Sequence, residues 1–144
     1  MSVHALSRVS LEAEVRPRSR VAIELARGLA AAGVLLSAAV HLDLYAGGFR
    51  DLATIGPLFM LNAIAGLAIG LLLLCWPNWL SAFAAAGFGV ATLVAFYLSV
   101  TVGLFGWQEI ASGEPQLLAE AAEYVAAVFG GLAAWMLWRQ SRRA

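Results

Sequence analysis

Apolar residues dominate this chain in four long runs, which are separated by short segments containing Gly, Pro, Trp and charged residues. The runs cover about residues 28–45, 57–76, 80–105 and 117–138. A helix needs about 20 mainly apolar residues to cross a bilayer, so each run has the length of one span. The pattern predicts an all-α fold in which four transmembrane helices form an antiparallel bundle.

The segments between the runs contain residues that favour helix ends and turns. Gly47 and Gly48 follow the first run, and Pro57 suits the first turn of the second helix. The second and third runs are joined by Trp76–Trp79, a tight turn whose two indoles suit a membrane interface. The longest interior loop is expected at about residues 106–116.

Composition supports a membrane domain and leaves little room for anything else. The 144 residues are 62% hydrophobic and 12% charged, with a mean hydropathy of +0.82. The single cysteine, Cys75, excludes an intrachain disulfide. The chain contains no GxSxG, HExxH, CxxC or P-loop motif, and its loops are short. We therefore expect a non-enzymatic protein whose partner is the lipid bilayer, with no nucleic-acid partner and no cofactor that the sequence identifies.

The basic residues indicate the orientation. All nine are arginines, and eight of them lie in residues 1–27 and 139–144; Arg50 is the exception. Basic residues beside spans tend to stay in the cytoplasm, and four spans put both termini on one side. The sequence predicts a cytoplasmic tail at 1–27, a membrane domain at 28–138 and a cytoplasmic tail at 139–144. The predicted location is a cell membrane, as a multi-pass protein of the bacterial inner membrane.

Small residues recur every three or four positions on each predicted helix. Such stripes let helix backbones approach closely in a membrane, where apolar burial does not drive association. They predict the packing faces of one compact bundle, or alternatively a surface for a homo-oligomer or a larger membrane complex. The stripe residues are Gly33, Ser37, Gly66, Gly70, Gly87, Ala91, Ala95, Gly103, Ala127 and Gly131.

Strongly polar residues interrupt three of the apolar runs at matching depths. His41, Asn62 and Glu123 each lie on the order of 6 to 9 Å inside the predicted outer end of a helix, at 1.5 Å per residue. An antiparallel bundle would bring them together in its outer half. The candidate pocket residues are His41, Asn62, Ser99, Glu120 and Glu123, with Asp43, Arg50 and Glu109 at the rim.

Two interpretations of this polar level stay open. It can be a structural clasp that joins the helices, or a site, since ionisable residues in a span often serve function. An imidazole and a carboxyl group can relay a proton, hydrogen-bond a quinone-like carbonyl, or begin a divalent metal site at His41 and Glu123.

Three short segments also support a family resemblance: HLDLY at 41–45, TIGPLFMLN at 54–62 and GLFGWQE at 103–109. Together with an acid in the last span, they resemble an uncharacterised family of small four-helix integral membrane proteins of high-GC actinobacteria. The resemblance implies the four-span fold and marks His41, Asn62, Glu109 and Glu123 as matching positions. It implies no reaction.

Two functional hypotheses follow from these observations. The first is a non-enzymatic scaffold or accessory subunit that packs through its small-residue helix faces. The alternative is a transport, sensor or redox-linked module with an outer-facing His/Glu pocket for a proton, a metal or a quinone-like ligand. They differ in whether space remains where His41 and Glu123 meet.

Overall fold

The computed structural model describes the backbone of residues 3–143 and the side chains of residues 19–143. The described chain is helical, with one short 3-10 turn, Phe49–Asp51, between the first two helices. The helices are α1 (Val3–Ala46), α2 (Ile55–Cys75), α3 (Trp79–Thr101) and α4 (Glu114–Ser141). Each contains a segment long and apolar enough to cross a membrane, the segment of α1 being Ser19–Ala46. The prediction of an all-α chain with four membrane-length helices is confirmed.

The helix ends follow local chemistry. Asn78 begins α3 as its N-cap, with its side-chain oxygen accepting a hydrogen bond from the Leu80 amide at 2.9 Å. The predicted third run continued to residue 105, but α3 ends at Thr101. Gly103 and Gly106 adopt φ values of +82° and +80°, which glycine tolerates and a helix excludes. These glycines turn the chain into the connection that leads to α4.

α1 runs without interruption from Val3 through the predicted tail 1–27 and into the first apolar run. Residues 1–2 and 144, and the side chains of residues 3–18, lie outside the described part of the chain. Arg27, at the end of that predicted tail, is only 7% exposed. Its guanidinium donates to Glu24 at 2.7 and 2.9 Å and to the Leu73 carbonyl in the last turn of α2. Arg27 therefore satisfies a carbonyl that the end of α2 leaves unpaired.

The helices are joined unequally. α1 packs extensively against both α2 and α4, and α4 packs extensively against α3, whereas α2 and α3 contact each other over a much smaller surface. The core is made largely of alanine, including Ala30, Ala85, Ala126 and Ala133, with the buried Leu73. These small side chains bring the helix backbones close together. The outer surface is apolar, with exposed side chains such as Phe83 and Val128.

Some predicted stripe residues lie in contacts between helices. A Cβ on Gly33 would lie 2.6 Å from the Ala122 carbonyl oxygen of α4, and one on Gly66 would lie 2.8 Å from Ala38 of α1. Gly70 likewise packs on a leucine of α1, and Ser37 is fully buried. The small residues of α1 and α2 therefore permit the close packing around α1.

The predicted stripe on α3 lies elsewhere. Gly87 has open space around its Cβ position, Ala91 is exposed, and Ala95 is half-buried. Gly89 makes the close contact instead: its Cβ would lie 2.5 Å from the carbonyl oxygen of Glu123. Positions 87 and 89 are about 200° apart around a helix of 3.6 residues per turn, so the packing face is nearly opposite the predicted one.

The remaining stripe residues divide between contact and open space. The backbone amide of Ala127 faces Gly89 of α3, whereas Gly131 has open space around its Cβ position. Gly103 lies beyond the end of α3. A glycine is favoured there because of the positive φ of +82°, and not because another helix packs against it.

Candidate functional site

A polar cluster joins α1 to α4 near one end of the bundle. We call this the loop end, because it carries the connections 47–54 and 102–113. Ser37 and His41 lie one turn apart on α1, and Glu123 faces them from α4. The Ser37 hydroxyl donates to Glu123 Oε1 at 3.1 Å, and His41 Nε2 lies 4.0 Å from the same oxygen. The cluster thus brings together two predicted pocket residues, His41 and Glu123, and the predicted stripe residue Ser37.

The orientation of the His41 ring follows from a backbone contact. Its Nδ1 lies 2.9 Å from the Ser37 carbonyl oxygen, which can only accept, so Nδ1 carries the hydrogen of this bond. Nε2 is then the ring nitrogen that remains to exchange a proton or to bind another group. At 4.0 Å it is too far from Glu123 for a direct hydrogen bond, which leaves both groups with unused bonding capacity.

Close helix packing buries the Glu123 carboxyl group, and the residue is 2% exposed. Gly33 of α1 and Gly89 of α3 both pack against the α4 backbone at this level, next to the carbonyl oxygens of Ala122 and Glu123 respectively. Thr92 of α3 is a second hydrogen-bonding side chain within reach of the carboxyl group. Glu123 is therefore held between three helices, on a backbone that has little freedom to move.

Empty space adjoins this cluster. A cavity of about 360 Å³ extends from His41 and Glu123 to the gap between α2 and α3. The exposed side chains of Leu61 on α2 and Ala91 on α3 lie along its wall, so the cavity reaches the surface between these helices. Its other apolar walls include Leu58, Phe59, Ala65, Phe88, Ala95 and Phe96. The site is thus mainly apolar, with a few polar groups in its interior.

Aromatic rings cover the cavity at the loop end. The edge of the His41 ring meets Phe59 at 5.1 Å between centroids, and Phe59 stacks on Phe49 at 4.8 Å. Trp107 in turn meets Phe49 at 5.5 Å. Within the loop, the indole N–H of Trp107 donates to the Glu109 carboxylate at 3.1 Å. The Glu109 backbone amide donates to the Ser99 carbonyl of α3 at 3.2 Å, which holds the loop against that helix. We call Phe49, Phe59 and Trp107 the aromatic cover: Phe59 and Trp107 line the cavity, and Phe49 contacts both rings.

Other polar groups on the cavity wall differ in how well they are satisfied. Glu120 accepts a hydrogen bond from the Tyr97 hydroxyl, which lies 2.9 Å from that of Tyr124. The Gln116 amide nitrogen donates to Glu109 at 3.1 Å. Two buried side-chain oxygens on the wall, Asn62 Oδ1 and Gln116 Oε1, have no hydrogen-bond partner among the described residues.

All five predicted pocket residues line the cavity, and so does Glu109 from the predicted rim: the set is His41, Asn62, Ser99, Glu109, Glu120 and Glu123. Asp43 and Arg50 are exposed and do not line it. Arg50 lies 3.8 Å from Asp51 in a surface pair. Within the described residues, no three His, Cys, Asp or Glu side chains converge as a metal site would require.

Sequence reasoning did not single out Gln116, Phe59 or Trp107. A signal for Gln116 exists, because it is four residues before Glu120 and seven before Glu123, which places all three on one helix face. The aromatic residues gave no comparable signal, since they look like ordinary span and interface residues. Comparison of the chain with protein-family models, curated proteins and solved structures found no match.

Proposed function

We propose that this protein spans a bacterial cell membrane four times, as an antiparallel bundle with both termini in the cytoplasm. The apolar exterior and the arginine distribution support this arrangement. Arg139 and Arg142 lie over the rings of Trp135 and Trp138, at 4.8 and 4.4 Å from their centroids. Trp beside Arg is typical of a membrane interface, so this end of α4 suits the cytoplasmic headgroup region. The loop end, with its cavity, then lies in the outer half of the membrane.

The function we propose is binding of a small, mainly apolar molecule in the outer half of the membrane, without catalysis by this chain. One observation carries the proposal: His41 and Glu123 converge beside a cavity of about 360 Å³ instead of closing on each other. Ser37 joins α1 to α4 through a direct hydrogen bond to Glu123, but a structural clasp would be expected to fill its interior and to pair His41 with Glu123 as well. Here the two groups are 4.0 Å apart and line open space.

The donor set favours an organic ligand over a metal ion. His41 and Glu123 supply two metal ligands, whereas protein sites for divalent metals usually supply three or more. An imidazole and a carboxyl group are well suited to a carbonyl or hydroxyl group, because between them they can donate and accept. The apolar walls would take the rest of the molecule. Such a ligand suits a sensor, a carrier or a redox-linked module.

The experiment is identification of what co-purifies. The wild type, His41→Ala, Glu123→Gln and the matched control Asp43→Asn would be purified in a mild detergent, and bound small molecules identified by native mass spectrometry. We expect a stoichiometric small molecule in the wild type and in Asp43→Asn, since Asp43 is exposed and does not line the cavity. Both cavity variants should lose it while keeping their helix content. If His41→Ala and Glu123→Gln retain the same species as the wild type, the proposal is wrong.

A second candidate function is the scaffold, favoured by the small residues left open on α3. Gly87 has open space around it, and Ala91 is exposed. Close approach of another membrane helix requires such positions. Gly87→Leu would then shift the protein from oligomer to monomer in lipid nanodiscs. An unchanged oligomeric state would remove the support for this function.

A further inference from the structure

The cavity is covered at the loop end and opens to the surface between α2 and α3. At the loop end the aromatic cover of Phe49, Phe59 and Trp107 lies over it, with stacked or edge-on rings at 4.8 and 5.5 Å. Between α2 and α3 the packing is sparse, and the exposed Leu61 and Ala91 lie along the opening. In a four-span protein this opening faces the bilayer, so a ligand would enter from the lipid phase.

The volume limits what the cavity can contain. At about 360 Å³ it is at the lower end of the range of about 300 to 1,000 Å³ for small-molecule sites. It therefore suits a head of one or two rings and excludes a complete long-chain lipid. An apolar tail attached to such a head would leave between α2 and α3 and extend into the bilayer.

The polar groups of this space come from three helices. The His41–Glu123 pair is held by α1 and α4. Asn62 of α2 is a further polar group on the wall, and its buried amide oxygen has no hydrogen-bond partner among the described residues. An unpaired buried polar group costs about 1 to 3 kcal/mol, and a bound partner would remove that cost. Because an amide can donate and accept, Asn62 can bind either a carbonyl or a hydroxyl group.

From these features we infer that the ligand is a lipid-soluble molecule of the quinone or quinol class, whose ring carries two oxygen atoms. One oxygen would contact His41 and Glu123, and the other would contact Asn62. Phe59, Phe88 and Phe96 supply apolar and aromatic surfaces for the ring. The alkyl tail would pass Leu61 and Ala91 into the bilayer. This inference rests on the proposed function and names its ligand.

The test measures direct binding of a benzoquinone with a decyl tail to the protein in nanodiscs, with empty nanodiscs as background. Decylbenzene, which has the tail and ring but no oxygen, is the matched probe. We expect the quinone to bind saturably and decylbenzene to bind at least tenfold more weakly. Asn62→Leu should weaken quinone binding about threefold to tenfold, the value of one hydrogen bond.

Two further variants test entry between α2 and α3. Ala91 lines the opening, whereas its neighbour Val90 is exposed and does not line the cavity. Ala91→Phe should therefore reduce quinone binding at least tenfold, and Val90→Phe should leave it within about twofold of the wild type. Equal effects of the two substitutions would overturn the assigned entry.

The outcomes separate this inference from the function on which it rests. Equal binding of decylbenzene and the quinone, with no effect of Asn62→Leu, would overturn the quinone class and leave a general apolar site. Quinone that fails to bind while another small molecule depends on His41 and Glu123 would overturn the inference alone. If neither probe binds and nothing co-purifies, both the inference and the proposed function are wrong.

Discussion

Adding one methyl group to α3, at either Gly89 or Gly87, tests which face of that helix packs in the bundle. A Cβ on Gly89 would lie 2.5 Å from the Glu123 carbonyl oxygen and 2.7 Å from the Ala127 amide nitrogen. Both are backbone atoms, so α3 and α4 would have to separate by about 1 Å to accept Gly89→Ala. Gly87→Ala meets nothing within 4 Å and is the matched control.

The two variants share one contribution to stability, which cancels in the comparison. Replacing Gly by Ala inside a helix favours the helix by up to about 1 kcal/mol at either position. The overpacking at Gly89 costs about 1 to 3 kcal/mol, and it is absent at Gly87. We therefore expect the free energy of unfolding of Gly89→Ala to be lower than that of Gly87→Ala by about 1 to 3 kcal/mol.

The measurement is unfolding in mixed micelles, by titration with a denaturing detergent and detection by circular dichroism. Helix content before unfolding must be equal in the two variants for the comparison to hold. Equal free energies would refute the assignment of the Gly89 face. A less stable Gly87→Ala would refute it and would also favour the stripe predicted from the sequence.

Two further predictions concern orientation and helix capping. Cys75 is an exposed free thiol at the end of α2 that the proposed orientation places on the cytoplasmic side. An impermeant maleimide should therefore label it only after the cells are permeabilised. In a Cys75→Ala chain, Ser112→Cys should be labelled in intact cells, and the reverse pattern would place the termini outside. Arg27→Ala should lower the free energy of unfolding by about 2 kcal/mol through loss of the charged hydrogen bond to Leu73. The exposed Arg20→Ala should change it by less than about 0.5 kcal/mol, and equal effects would contradict the capping role.

The four long helices were predictable because a membrane helix requires a long run of apolar residues. Every backbone group must be paired within the helix and every exposed side chain must tolerate lipid, so apolar runs report the helices directly. The shared level of His41, Asn62 and Glu123 was also predictable, since the rise per residue of a helix is fixed. These residues do line one cavity.

The packing face of α3 was not predictable, because both of its candidate faces are small. One contains Gly87 and Ala91, and the other contains Ala82 and Gly89. Spacing alone gives each the same potential for close approach. The choice depends on where the α4 backbone passes, and Gly89 is the position that meets it.

The cavity itself also has no local signal in the sequence. It lies where α2 and α3 make few contacts, and many residues on its walls are the same Leu, Ala and Phe that fill a packed core. Asn62 is the exception, since a polar residue in an apolar run points to a need for a partner. Which partner depends on the geometry of all four helices.

The sparse contact between α2 and α3 has a thermodynamic consequence. Each helix is attached to a different member of the α1–α4 pair, so substitutions on facing walls, such as Leu61 and Ala91, should have additive effects on the stability of the empty protein. A molecule that contacts both walls would make the same substitutions non-additive. A double-mutant cycle across the opening, measured with and without ligand, would therefore show a coupling free energy between the two walls only when the ligand is bound.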